Sequence, residues 1–372
     1  MKKSLGGLKV FFPGGRILLG LFFLLSLSSC GMGGGGAGGS APPSSTFSLP
    51  SNSSPSSFGT ITVDHNNNVW IATTFSTSSS NGLMEIPAGA TSCATTTDCP
   101  LISLGFTPAG ITVDSNHNVW VTNSSGNSVT EIPSTNTSCS SSCTTFSGSP
   151  YFSSPTGIAV DSQNNIWVTN DITSGSVTEI PSTNTSCSSG CTTFSGSPYF
   201  SSPTGIAVDS QNNIWITNDT TSGSVTEITS SAVSSASCSS SSCPTYSGFS
   251  NPVAVALTGS TPWVANSGTG GSYPQAIVEI ISSCTSSGCP DISHFTQPVG
   301  LAFDSSGNLW VIDAGTKTTV EITASAIASA NCSSATPCYQ YPLPATPEGI
   351  ATDSLGNAWI SLSNAQVIEY KP

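Results

Sequence analysis

The chain has 372 residues, of which only 7% are charged, against about a quarter in an average soluble protein. Nineteen carboxylates stand against six basic residues, four of which precede Cys30, so the segment after Cys30 carries two lysines and a formal charge of −17. Such a surface repels phosphate backbones, which excludes nucleic-acid binding. The many Val, Ile, Thr, Phe and Trp residues exclude a disordered chain.

Residues 1–29 predict an export signal. A basic start leads into an apolar run from Ile17 to Leu27, which is too short to span a bilayer. The run ends in LSSCG at 27–31, which resembles the bacterial lipobox. This resemblance implies cleavage before Cys30, lipidation of Cys30 and, with no acidic residue next to it, an outer-membrane destination if the organism has such a membrane. The alternative is an ordinary secretory signal with an incidental cysteine.

Residues 30–44 form a Gly-, Ser- and Pro-rich segment without apolar periodicity, and we expect a flexible linker. Residues 45–372 are organised by a repeat of about 48 residues. The repeat is marked by all seven tryptophans of the chain, at Trp70, Trp120, Trp167, Trp215, Trp263, Trp310 and Trp359.

Each repeat contains four short alternating segments separated by turn residues. One repeat shows PTGIAVD at 155–161, NIWVTN at 165–170, VTEI at 177–180 and TTFS at 192–195. Four strands in each repeat and no helical period predict an all-β fold: a seven-bladed β-propeller of four-stranded antiparallel blades. A six-bladed ring with one decayed repeat is the alternative.

The two ends of the chain are expected to close this ring. After Trp359 only one more strand follows, at 366–370, so the last blade lacks its outer strand. Thr46, Phe47 and Ser48 repeat the outer-strand sequence found at 145–147. We therefore expect the N-terminal strand to pair with the last blade, which removes the open sheet edges.

Twelve cysteines follow Cys30 as six close pairs, each between a third and a fourth strand. An exported location and an even count predict local disulfides, whereas a zinc site would need two pairs to converge. The seventh such hairpin is split between the termini, which explains why there are six pairs: Cys93/Cys99, Cys139/Cys143, Cys187/Cys191, Cys238/Cys243, Cys284/Cys289 and Cys332/Cys338.

The blade pattern P-x-G-[IL]-[AT]-x-D-x-x-x-N-x-W-[VI] resembles the NHL and streptogramin-lyase (virginiamycin B lyase-like) propeller repeats over residues 58–372. In those lyases the residue three past the repeat tryptophan is often acidic and acts with histidines and magnesium on the active face. The equivalent positions in this chain are Thr73, Asn123, Asn170, Asn218, Asn266, Asp313 and Leu362.

Of these positions only Asp313 keeps a carboxylate. His65 and His117 lie between first and second strands, on the opposite face, and His294 alone precedes an inner strand. His294 and Asp313 are therefore weak catalytic candidates, and a lone histidine is more often structural. The candidate binding ring consists of Asn123, Asn170, Asn218, Asn266 and Asp313.

Two sets of carboxylates recur around the ring. An aspartate opens the first turn of six blades, where it can bond backbone two residues on, and Thr258 takes its place in the seventh. The D-x-x-x-N unit is only a fragment of a calcium loop. A glutamate occupies all seven third strands, which indicates one structural bond made seven times rather than a single active site: Glu85, Glu131, Glu179, Glu227, Glu279, Glu321 and Glu369.

These features favour a monomeric, lipid-anchored, non-catalytic scaffold outside the cytoplasm that binds a protein or a carbohydrate and needs no cofactor. Residues 131–171 recur almost unchanged at 179–219, so neighbouring blades offer identical loops with aromatics at Tyr151/Phe152 and Tyr199/Phe200. Such aromatics could stack on sugars, but capping of a blade end is the commoner explanation. The alternative is a lyase or hydrolase with magnesium or calcium at the channel mouth. An acidic habitat would also explain the scarcity of lysine and arginine.

Overall fold

The computed structural model describes residues 44–48, 55–76, 81–135, 138–139, 142–188, 190–196, 198–281, 284, 287–329 and 338–371. The predicted signal peptide, Cys30 and nearly all of the linker lie outside these residues. Within the described residues no helix is long and apolar enough to cross a membrane.

Seven four-stranded antiparallel sheets follow one another around a ring, in the described part of the chain, and the seven-bladed prediction is confirmed. Blades 1 to 3 comprise β2 (Ser57–Val63), β3 (Val69–Thr74), β4 (Gly82–Ile86) and β5 (Leu101–Ser103); β6 (Ile111–Val113), β7 (Val119–Asn123), β8 (Ser128–Ile132) and β9 (Thr144–Ser147); and β10 (Pro155–Val160), β11 (Ile166–Asn170), β12 (Ser176–Ile180) and β13 (Thr192–Ser195).

The next three blades repeat this order, with one short helix each after the third strand in blades 4 and 6. They comprise β14 (Pro203–Val208), β15 (Ile214–Asn218), β16 (Gly223–Ile228), α1 (Ser230–Ser235) and β17 (Thr245–Phe249); β18 (Pro252–Thr258), β19 (Thr261–Asn266), β20 (Ala276–Glu279) and β21 (Asp291–Ile292); and β22 (Pro298–Phe303), β23 (Leu309–Asp313), β24 (Thr318–Ile322), α2 (Ala324–Ser329) and β25 (Cys338–Pro342).

Blade 7 joins the two ends of the chain, as the sequence predicts. Its inner strands are β26 (Pro347–Thr352), β27 (Ala358–Leu362) and β28 (Gln366–Tyr370), and its outer strand is β1 (Ser44–Ser48). β1 pairs antiparallel with β28, with Phe47 opposite Val367. The ring is therefore closed by backbone hydrogen bonds between the first and last described segments.

The tryptophans are wedges between neighbouring blades. All seven are at most 9% exposed, and each packs in an apolar cluster with side chains of the following blade. Trp167, for example, contacts the cluster around Ile214 and Ile216 of blade 4, and Trp359 joins Phe58 and Val69 of blade 1. Burying one indole contributes up to about 4 to 6 kcal/mol by its area, so these contacts hold the blades together.

Disulfides link five of the predicted cysteine pairs, with Cα atoms 5.0 to 5.3 Å apart, in the connections between third and fourth strands: Cys93–Cys99, Cys139–Cys143, Cys187–Cys191, Cys238–Cys243 and Cys284–Cys289. Cys338 is also disulfide-bonded, and its predicted partner Cys332 lies outside the described residues. Several disulfides in one chain point to an oxidising, extracytoplasmic environment.

Candidate functional site

The ring has two faces with different chemistry. The Asn face is where the second strands end, at Asn123, Asn170, Asn218, Asn266 and Asp313, and it carries the loops that enter each first strand. The turn face carries the D-x-x-x-N turns and the disulfide loops. His294 lies on the Asn face, whereas His65 and His117 lie on the turn face.

The predicted binding ring is buried under the loops of the Asn face. Asn123 is 9% exposed and the other four members are between 0 and 2% exposed. Each side chain accepts a hydrogen bond from loop backbone: Asn123 accepts from the N–H of Gly126 (2.8 Å) and Asn266 from that of Ser250 (2.8 Å). The structure therefore brings these residues to one face without presenting their side chains to solvent.

Asn170 illustrates the hydrogen bonds that a member of the candidate binding ring makes. Its side-chain oxygen accepts from the backbone N–H of Ser153 (3.0 Å), and its Nδ2 donates to the carbonyl of Tyr151 (3.0 Å) and to Thr178 Oγ1 (3.1 Å). Asn218 makes the same three bonds one blade later, to Ser201, Tyr199 and Thr226. The amide thus supplies the loop with the hydrogen bonds that a buried backbone needs.

Asp313 holds its loop in a related way. One carboxylate oxygen accepts from the N–H of Thr296 (2.8 Å), and the other accepts from those of Gln297 (2.8 Å) and Gly315 (3.0 Å). The neighbouring His294 is exposed and has a backbone φ of 82°. Asp313 therefore clamps the loop that carries His294.

The axial channel opens at the centre of the Asn face. Its volume is about 370 Å³, and it is lined by the first strands of all seven blades. Most lining residues are small or aliphatic, with threonine hydroxyls at Thr60, Thr156 and Thr204. Glu348 is the one charged side chain of the lining, and partial desolvation there raises its pKa.

Glu348 was not predicted from the sequence because it stands at the variable position of P-x-G, where no motif marks it. The equivalent residues of blades 3 and 4 are Thr156 and Thr204. Comparing that one position around the ring would have revealed a single carboxylate among neutral side chains.

The aromatic loops of blades 3 and 4 combine buried and partly exposed rings. Phe152 and Phe200 are 3% and 2% exposed, so these rings are buried caps at the blade ends and do not offer a sugar-stacking surface. Tyr151 and Tyr199 are half-buried. Of these four aromatic side chains, only the tyrosines are therefore exposed enough to contact a ligand.

Among the described residues, no group of three or more His, Cys, Asp or Glu side chains is placed to hold a metal ion. The turn aspartates are committed elsewhere: Asp161 accepts from the N–H groups of Gln163 and Asn165 through one oxygen, and from Asn165 Nδ2 and Trp167 Nε1 through the other.

Comparison with known proteins establishes the fold. No family model matches the sequence, and no curated protein matches it. A streptogramin B lyase structure superposes with a TM-score of 0.65 at 15% identity, covering 88% of this chain and 97% of that chain. This chain shares the β-propeller fold of that lyase.

Two further structures extend the comparison. A catalytically inactive variant of virginiamycin B lyase from Staphylococcus aureus with quinupristin gives a TM-score of 0.65 at 17% identity, covering 89% of this chain and 100% of that chain. The WD40 β-propeller domain of Doa1 gives 0.60 at 10% identity, covering 85% and 92%. At such identities the likeness concerns architecture, which the propeller shares among unrelated activities.

Proposed function

We propose that this chain is a lipid-anchored, extracytoplasmic binding scaffold that performs no catalysis. The proposal rests on the hydrogen bonds that the candidate binding ring makes on the Asn face. Asn170, Asn218 and Asp313 spend their hydrogen-bonding capacity on loop backbone, which suits rigid loops better than acid–base chemistry. The rigid loops then form the binding surface.

The proposed ligand is an uncharged, hydroxyl-rich carbohydrate. A segment with two lysines against nineteen carboxylates disfavours anionic partners. Tyr151 and Tyr199 occupy the same place in identical loops of blades 3 and 4, so they offer two like contacts to a repeating polymer. Their carbonyls are fixed by Asn170 and Asn218, which reduces the entropy lost on binding.

Binding to immobilised neutral polysaccharides tests this proposal. Replacing both tyrosines (Tyr151→Ala with Tyr199→Ala) is expected to weaken binding at least tenfold, because both aromatic contacts are lost. Leu355→Ser is the matched control, since Leu355 is an exposed apolar residue on the turn face. Unchanged binding by the tyrosine variant, or capture of protein partners alone, would contradict a carbohydrate ligand at these loops.

The proposed anchor is the lipid on Cys30. Cys30→Ser is expected to move the protein from the membrane fraction to the soluble fraction, because the acyl chains supply the membrane affinity. A chain that stays in the membrane fraction after this change would contradict lipid anchoring.

A lyase activity is the second candidate, because the architecture matches streptogramin B lyase over 88% of this chain. Incubation with a streptogramin B and magnesium tests it. Asp313→Asn is the informative variant, since asparagine fills the same place in blades 3, 4 and 5 and should preserve the fold. Ring opening by the native chain that this variant lacks would replace the scaffold proposal.

A further inference from the structure

A repeated polar bridge joins neighbouring blades on the turn face. Asn164 of blade 3 accepts from the N–H of Ser115 in blade 2 (3.0 Å) and donates to its hydroxyl (2.7 Å). The same asparagine oxygen to backbone N–H bond joins Asn212 to Ser162 and Asn67 to Ser354. In each case the asparagine has a positive φ and meets the residue that follows the turn aspartate of the preceding blade.

The seam between blades 1 and 2 departs from this rule at both positions. His117 stands where blades 1, 3 and 4 have asparagine and blades 6 and 7 have glycine, with the same backbone φ of 64° as Asn67. His65 stands where Ser115 and Ser162 stand in their blades. The chain has three histidines, and two of them therefore face each other across one seam, with ring centroids 6.2 Å apart and ring planes at 86°.

The described surroundings of this histidine pair contain carboxylates and no lysine or arginine. Nδ1 of His117 is buried and has no hydrogen-bond partner among the described residues. A pocket of about 320 Å³ beside it is lined by His117, Asp64, Glu85 and Trp70, and its lining contains no lysine or arginine. Burial, with repulsion from the nearby Asp64, raises the pKa of Glu85.

We propose that His65 and His117 bind a divalent late transition-metal ion across the seam between blades 1 and 2. Metal–imidazole bonds are about 2.0 to 2.1 Å long, so two rings sharing one ion have centroids about 5 to 6 Å apart. The observed 6.2 Å needs only a small rotation of the exposed His65. The rings now meet edge to face, so this rotation must also turn a nitrogen of His65 toward the shared ion.

The two imidazoles leave coordination positions open to water. Such a nitrogen-only, incomplete site should prefer copper(II) over zinc, following the general order of divalent affinities. The carboxylates of Asp64 and Glu85 add attraction without ligating the ion.

Copper(II) titration of the full-length chain, followed by electron paramagnetic resonance, tests the proposal. The native chain is expected to bind one ion with the signature of two imidazole nitrogens. The double variant His65→Ser with His117→Asn restores the bridge used between blades 2 and 3, so it should fold. It is expected to bind copper at least tenfold more weakly and to lose that signature.

A graft provides the opposite test. Ser115→His with Asn164→His places the pair at the seam between blades 2 and 3 and is expected to raise the stoichiometry to two ions. His294→Ala is the control for a single exposed imidazole and should leave the two-nitrogen signal intact. The proposal is overturned if the native chain shows no two-nitrogen site, or if the restored-bridge variant keeps it.

Discussion

At the scale of single residues, the turn aspartate does more than shape a turn. In six blades one carboxylate oxygen accepts the indole N–H of the blade tryptophan, at 3.0 to 3.3 Å. Blade 5 is a natural exception, because Thr258 begins a shorter turn there and Trp263 Nε1 is buried without a partner among the described residues. The aspartate thus links the turn to the interblade wedge.

Asp161→Ala is expected to lower the free energy of unfolding by about 2 to 4 kcal/mol, because it leaves a buried indole N–H and two turn N–H groups without acceptors. Chemical denaturation monitored by tryptophan fluorescence measures the change. Thr258→Ala is the control: Thr258 is exposed and serves no indole, so its loss should stay within about 0.5 kcal/mol. Equal effects of the two substitutions would refute the role given to the indole bond.

Sequence patterns predicted these turns but not their bond to tryptophan. The D-x-x-x-N spacing indicates backbone capping, whereas the direction of an indole depends on the blade that packs against it. The burial of the candidate binding ring could not be predicted from the sequence either. Its members were predicted at the correct strand ends, but their burial arises from the loop that enters the first strand of the same blade. In blade 3, for example, Ser153 of that loop donates its N–H to Asn170.

At the scale of strands, each third-strand glutamate lies opposite the blade tryptophan in the ladder, as Glu131 lies opposite Trp120. In six blades burial raises the pKa of this glutamate, and in five of them the turn aspartate of the same blade adds repulsion: Glu85, Glu131, Glu179, Glu227, Glu279 and Glu321. The repeated bond expected from the sequence is replaced by varied partners, such as Tyr341 for Glu321 (3.0 Å).

These glutamates should make the protein more stable in mild acid than at neutral pH. A carboxyl whose pKa is raised by folding binds its proton more tightly in the folded state, so its stabilising contribution is complete below about pH 4.5. That contribution is lost as the pH rises through the folded pKa. We expect the free energy of unfolding to be larger at pH 4.5 than at pH 7; a steady fall below pH 6 would refute this and the acidic-habitat interpretation with it.

Glu131→Gln isolates one member of the set. It should raise stability at pH 7 and flatten the pH dependence, because glutamine removes a desolvated charge near Asp114. Glu369→Gln is the matched comparison in blade 7, where the carboxylate pairs with Lys371 at 3.3 Å. This second change should give no such gain at pH 7. Parallel responses of the two variants would argue against the repulsion described for blade 2.

At the scale of the whole molecule, the repeat length and the split last blade were enough to predict the ring and its closure. Regular spacing of Trp70 to Trp359 carries that information, because each wedge defines one blade. The His65–His117 seam was missed, since it depends on which turn positions meet between blades. Asn164 and Ser115 reveal that rule only once the packed ring is known.

Closure by β1 should be the property on which cooperative unfolding depends. Phe47 is 1% exposed and stacks on Trp359 at 5.4 Å, and Phe146 is equally buried and stacks on Trp120 at 5.4 Å. Phe47→Ala and Phe146→Ala should therefore each lower stability by about 3 to 5 kcal/mol. Deleting residues 44–48 removes the same ring contact and also exposes the edge of β28.

We expect this deletion to destabilise the protein more than either substitution, to broaden denaturant unfolding and to promote association through the open edge. Denaturant titration and size-exclusion chromatography measure these effects. The comparison with Phe146→Ala separates loss of one aromatic contact from loss of the closing strand, since β9 stays anchored within a continuous blade. A deletion variant as stable and as monomeric as Phe47→Ala would mean that the ring holds without its closing strand.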